Sequence, residues 1–216
     1  MRYAIAAALV ASTAFAAPAF AQTVDPTFTG PRIAVLGGYD GIRPGSSEDI
    51  DGVDQTVDGF LYGVEAGYDF GFGGAVVGVE AELTDSTGEV ETNRVNPNTF
   101  GFGEVSTGRD IYVGARVGAQ VTPGTLLYAK GGYTNARLNL LGGDGTTIRD
   151  ENYELDGWRL GAGVERAIGT NAFAKVEYRY SNYESANFEF ADGGTTPNFD
   201  VDTDRHQVVA GLGWRF

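Results

Sequence analysis

Apolar and polar residues alternate, one for one, through eight stretches of this 216-residue chain. The last is the clearest. In His206–Phe216, Val208, Ala210, Leu212, Trp214 and Phe216 share one face, while Gln207, Val209, Gly211, Gly213 and Arg215 share the other. A period of two is the signature of a strand with two unlike faces. The same pattern predicts strands at about Pro31–Asp40, Gly59–Phe70, Ala75–Thr84, Arg109–Gln120, Thr125–Arg137, Tyr153–Arg166 and Ala172–Ser181. No helical period competes over windows of that length. The links after the second, fourth and sixth runs are about three to five residues, with turn chemistry such as Thr122-Pro123-Gly124. Those after the first, third, fifth and seventh are about fifteen to twenty-four. Short and long links in alternation describe a meander with every long loop at one end.

Alternation does not say which face points inward, because a soluble barrel can place its apolar face around a ligand. Three features favour lipid outside. The polar face is rich in glycine beside large residues, which suits the narrow, side-chain-filled interior of an eight-stranded barrel. Its charges have both signs: Glu65, Glu80, Glu82, Glu165 and Glu177 against Arg116, Lys130, Arg159, Lys175, Arg179 and Arg215. Facing inward, these eleven residues can neutralise one another as a lumen charge network. Finally, aromatics on the apolar face gather near strand ends. Tyr39, Phe60, Tyr62, Tyr133, Trp158, Tyr178 and Tyr180 lie toward the long loops, and Phe70, Trp214 and Phe216 toward the short turns. Two belts match two membrane interfaces. The expected fold is all-β, an eight-stranded antiparallel up-and-down transmembrane β-barrel.

Residues 1–21 read as a cleaved export signal: Arg2, an apolar stretch from Ala4 to Ala17, and Ala19-Phe20-Ala21 before Gln22. The barrel domain is then 22–216. The chain has no cysteine, so disulfides and thiolate metal sites are excluded. The net charge is −14, or −15 without Arg2, which argues against nucleic acid as a partner. The charge is uneven. The four long links carry 18 of the 29 acidic residues and only Arg43, Arg94, Arg149 and Arg205 as bases. Beside an anionic lipopolysaccharide leaflet such loops call for bridging divalent cations, Mg²⁺ or Ca²⁺.

The leader, the eight runs and the ending VVAGLGWRF together resemble the small outer-membrane β-barrel family, the opacity-type surface proteins of Gram-negative bacteria. LLYAKGGY (126–133), WRLGAGVERAI (158–168) and AKVEYRYSNY (174–183) are similar to its strand patterns. The resemblance implies a fold like the transmembrane domain of outer membrane protein A and a location in the outer membrane. It also implies a terminal aromatic, Phe216, read by the barrel-assembly machinery, with Trp214 and Leu212 on the same face. Function is implied less sharply, because members differ in their loops.

Site chemistry is sparse. The single histidine, His206, has Val208 rather than serine two residues on, so the His-x-Ser pairing of lipid-modifying barrel enzymes is absent. Asp200, Asp202 and Asp204 have the spacing that opens a calcium loop, but Arg205 stands where the turn glycine belongs. No catalytic, cofactor or resident metal site is assigned. The expectation is a structural or surface-interaction barrel acting through acidic loops on an unidentified extracellular partner. A narrow ion-permeable pore is the alternative, and a lipid-modifying enzyme comes third.

Overall fold

The computed structural model describes residues 28–44, 57–92, 103–143, 148–189 and 199–216, with side chains over 28–42, 58–88, 108–137, 154–184 and 203–216. The expected leader and the loop acids Glu48, Asp49, Asp51, Asp54, Asp144 and Asp192 lie outside them. The strands are β1 (Gly30–Pro44), β2 (Val57–Phe72), β3 (Ala75–Ser86), β4 (Glu89–Thr92), β5 (Gly103–Thr122), β6 (Thr125–Gly143), β7 (Ile148–Ile168), β8 (Ala172–Glu189) and β9 (Phe199–Arg215). They pair antiparallel in the order β3-β2-β1-β9-β8-β7-β6-β5-β4 with a further β3–β5 pairing, so that the first strand, β1, meets the last, β9, in a closed ring. Both β3 and β4 pair with β5, so they are two parts of one stave interrupted at Thr87-Gly88. The barrel therefore has eight staves, and closure leaves no sheet edge in the hydrocarbon.

Tight turns at Gly73-Gly74, Pro123-Gly124 and Gly169–Asn171 define one end, with Gly73, Gly74, Gly124 and Gly169 at positive φ. The chain terminus is clasped at this end. Phe216 N donates to Pro31 O at 3.0 Å, and Gly30 has φ +113° where a Cβ would lie 2.5 Å from Phe216 O. Only glycine fits that approach. Just before β1, Phe28 packs with Val76, Leu126 and Tyr128 and closes the short-turn end from inside. Two further apolar clusters sit in the lumen: Ala34, Leu36, Leu61, Phe173 and Val209, and nearer the other end Ala136, Leu155 and Tyr183.

The burial pattern fixes the orientation. Ile33, Val35, Val64, Val79, Leu160, Val176 and Leu212 are exposed on the outside, while residues of opposite parity are buried.

Two sequence expectations need correction. The strands are longer than the apolar runs, reaching 20 residues in β5 and 21 in β7. Hydrophobic alternation registers only the part that meets lipid, whereas backbone pairing continues where both faces meet water. As a result, 12 of the 18 acids assigned to long loops stand on strand extensions, Asp58, Asp85, Glu184 and Asp204 among them. Asp200, Asp202 and Asp204 lie on extended β9, not in the curled loop a calcium site requires. Arg205, counted above with the loops, is buried in the barrel, because β9 begins at Phe199 and its parity turns that residue inward.

Candidate functional site

All eleven residues named above for the lumen are buried, and the barrel adds five more: Arg32, Asp40, Asp69, Asp110 and Arg205. The sixteen comprise eight acids and eight bases, none more than 5 % exposed. The column is therefore formally neutral.

Near the short turns, Asp69 gathers three guanidinium groups. Arg116 donates through Nε at 2.9 Å and Nη2 at 2.5 Å, Arg215 through Nη1 at 2.6 Å, and Arg32 through Nε at 3.1 Å. Arg116 and Arg215 also share Glu165, at 2.8 and 2.7 Å. At mid-height Lys130 lies 2.8 Å from Glu80, 2.5 Å from Glu82 and 2.9 Å from Glu177. Arg32 donates to Glu65 and Glu80, and Lys175 to Glu65. Arg179 joins Glu82 at 2.9 Å and also Glu177, whose Oε2 accepts the Tyr128 hydroxyl at 2.7 Å. Nearer the long-loop end Asp110 accepts from Arg159 at 2.5 Å, Arg205 at 2.8 Å and Thr134 at 2.7 Å. Arg205 also grips Asp40 in a bidentate pair, 2.7 Å at both oxygens. Charge-assisted, multiply bonded pairs of this kind offset the cost of taking ions out of water, and losing one partner leaves that cost exposed.

Glu65, Glu80 and Glu82 stand close enough to hold a metal ion. Arg32, Lys130, Lys175 and Arg179 already engage those same carboxylates. A cation entering there would have to displace an ion pair, so the cluster belongs to the column.

Asp69 and Asp110 lie on the predicted inward faces, and their parity was the available signal. Arg32 and Asp40 share a face of the first strand whose other face holds Ile33, Val35 and Tyr39. Arg205 was hidden because no apolar alternation reaches it.

The outer surface carries a second pattern toward the long loops. Aromatic donors there bond carboxylates on neighbouring strands. Tyr39 donates to Asp58 and Tyr133 to Asp156, the Tyr180 hydroxyl reaches Asp204 at 2.5 Å, and Trp158 Nε1 reaches Glu184 at 3.2 Å. An aromatic belt with hydrated acids just above it is the expected chemistry of a membrane–water boundary. His206 sits in this belt, its Nδ1 2.7 Å from the Tyr178 hydroxyl. Phe216, Trp214 and Leu212 lie at the opposite end, exposed on the outer face.

A closed barrel, apolar without, ionic and neutral within and ringed by aromatics, defines a membrane-spanning β-barrel of the outer-membrane type. Residues 7–216 match the family described as the outer membrane protein beta-barrel domain, and the chain belongs to that family. It is similar to the 25 kDa outer-membrane immunogenic protein of Brucella abortus, 29 % identical over 223 residues that cover 98 % of this chain and 96 % of the relative. It is also similar to the 31 kDa outer-membrane immunogenic protein of Brucella melitensis, 31 % identical with 93 % and 88 % covered. The 22 kDa outer membrane protein of Rhizobium leguminosarum bv. viciae is 30 % identical, with 76 % and 70 % covered. The protein is an outer-membrane protein of Gram-negative type.

Proposed function

We propose that this barrel is a non-conducting, non-catalytic component of the envelope, made with a cleaved leader and acting through its outward acidic end. The observation that carries the reading is the lumen column, in which sixteen paired charges stand where an aqueous path would run. A general diffusion pore needs about sixteen strands to hold water in its lumen. This barrel has half that number and fills its interior. Asp58 and Asp85 on the strand extensions, with the acids of the long links, support a surface role, with divalent cations linking them to lipid phosphates. The exposed terminal face of Leu212, Trp214 and Phe216 supports recognition by the assembly machinery.

Single-channel recording in planar bilayers tests the reading. The expected trace stays at baseline, and stable openings of porin size would overturn it. Deleting residues 45–56 or 190–198 is expected to change envelope integrity or surface adhesion without changing that baseline.

A further inference from the structure

On the outer face of β7, β8 and β9, four rings gather at the height of the aromatic belt. Trp158 and Tyr180 have centroids 5.5 Å apart at an interplanar angle of 60°. Tyr180 and His206 are 5.2 Å apart at 52°, and Tyr178 and His206 are 6.2 Å apart at 35°. Two carboxylates flank the group. Glu184 accepts from Trp158 Nε1 through Oε1, and Asp204 accepts both the Tyr180 hydroxyl and, at 3.1 Å, the Asn182 amide on one oxygen, Oδ1. Tyr39–Asp58 and Tyr133–Asp156 each set one ring against one acid. Here several rings and two acids are contiguous.

The ring edges are the positive parts of an aromatic quadrupole and the faces the negative parts. Hydrogen bonds from Trp158 and Tyr180 hold the carboxylates at the ring edges, so their negative charge adds to that of the faces. Arg205, the nearest base in sequence, is turned into the lumen against Asp40 and Asp110. Among the outward described residues of β7, β8 and β9 the one lysine or arginine is Arg166, at the short-turn end, where it bonds Pro123 and Thr125. Arg109 of β5 and Arg137 of β6 are both engaged by Glu154 at 3.0 Å. Such a surface repels phosphate and attracts an organic cation, which aromatic faces bind within about 6 Å of a ring centroid. Its height is that of lipid headgroups.

We propose that Trp158, Tyr178, Tyr180 and His206, with Glu184 and Asp204, bind the ammonium group of an amine-bearing lipid headgroup. The inference rests on the outer-membrane location but not on the closed lumen, so recording a conductance would leave it standing.

The chain has two tryptophans, so Trp214→Phe leaves Trp158 as the sole indole reporter. This variant, folded in non-ionic detergent, is titrated with a short-chain phosphatidylcholine and with the phosphatidylglycerol of the same acyl chains. The expected result is a saturable change in Trp158 emission with phosphatidylcholine alone, its half-saturation concentration raised at least tenfold by Glu184→Gln with Asp204→Asn. Far-UV circular dichroism confirms an unchanged barrel, and Glu184→Gln alone, at an exposed position, serves if the double variant does not fold. An equal response to phosphatidylglycerol, or one that survives the substitutions in a folded barrel, overturns the proposal. So does saturation by tetramethylammonium chloride at the same concentrations, because the site would then not be a lipid site.

Discussion

Asp69→Asn is the sharpest test of the ionic column. The side chain keeps its shape, but three guanidinium groups lose the carboxylate on which they converge, and the lumen goes from eight acids against eight bases to seven against eight. Arg116 and Arg215 keep Glu165, and Arg32 keeps Glu65 and Glu80, so one positive charge is left without compensation rather than three. Stranding one buried charge costs about 3–5 kcal/mol. Urea is the right denaturant because it leaves ionic strength unchanged. At a slope of about 1–3 kcal/mol per molar, the loss lowers the unfolding midpoint by about 1 M or more. Asp58→Asn is the control. That exposed acid accepts from Tyr39, and its loss is expected to stay below about 1.5 kcal/mol. Asp69→Asn with Arg215→Gln restores neutrality at seven against seven and is expected to recover about 1 kcal/mol or more. A loss within about 1 kcal/mol for Asp69→Asn alone, at an unchanged slope, would refute the reasoning. Water would then have to reach the column and screen it.

Other outcomes follow from the same geometry. Phe28→Ala should remove about 3–5 kcal/mol of stability, since its ring is fully buried against Val76, Leu126 and Tyr128, yet bilayer recordings should stay at baseline because the ion pairs above it remain. Gly78→Ala places a Cβ 2.1 Å from Asp69 Oδ1 and 2.9 Å from Tyr68 O, so a urea titration should show a loss of about 1–3 kcal/mol. Chelator should lower the melting temperature in vesicles containing lipopolysaccharide but not in phosphatidylcholine vesicles; equal behaviour in both would remove divalent cations from the proposal. Phe216→Ala should slow insertion by the assembly machinery while leaving the stability of the finished barrel nearly unchanged, because the ring is 67 % exposed.

The membrane part of the fold was legible because lipid demands one apolar residue in two. That demand gave the staves, the inward face and the eleven charges. It stops at the membrane surface. Above it, ladders such as those of β2, β8 and β9 continue through residues that carry no alternation, so Asp58, Glu184 and Asp204 read as loop and Arg205 as a loop base. Phe28 was illegible for another reason: one apolar residue ahead of a strand has no period, and only the closed barrel gives it a pocket. The pairing of the charges was illegible as well. Arg205 bonds Asp40 across 165 positions and Lys175 bonds Glu65 across 110, distances at which strand parity carries no partner information.

The register explains why those partners are so remote. Across the ladders Arg32 stands opposite Arg215, Glu65 opposite Glu82, and Arg116 opposite Lys130. Among the sixteen lumen charges only Glu165 and Lys175 are unlike neighbours, and each has its ion pairs elsewhere, Glu165 with Arg116 and Arg215, Lys175 with Glu65 and Glu177. Like charges directly opposite destabilise a strand pair. An open meander would carry the Glu65–Glu82 and Arg116–Lys130 repulsions with only part of their relief, while Arg32 meets Arg215 when β1 pairs with β9. Relief comes from contacts across the lumen, Lys175 of β8 to Glu65 of β2, Arg205 of β9 to Asp110 of β5, Arg116 of β5 to Asp69 of β2. Of these and the Arg205–Asp40 pair, Lys175–Glu65 and Arg205–Asp40 form only when β1 meets β9 and the ring shuts. The charge pattern thus ties part of its relief to closure, and this barrel is expected to unfold in one transition rather than hairpin by hairpin.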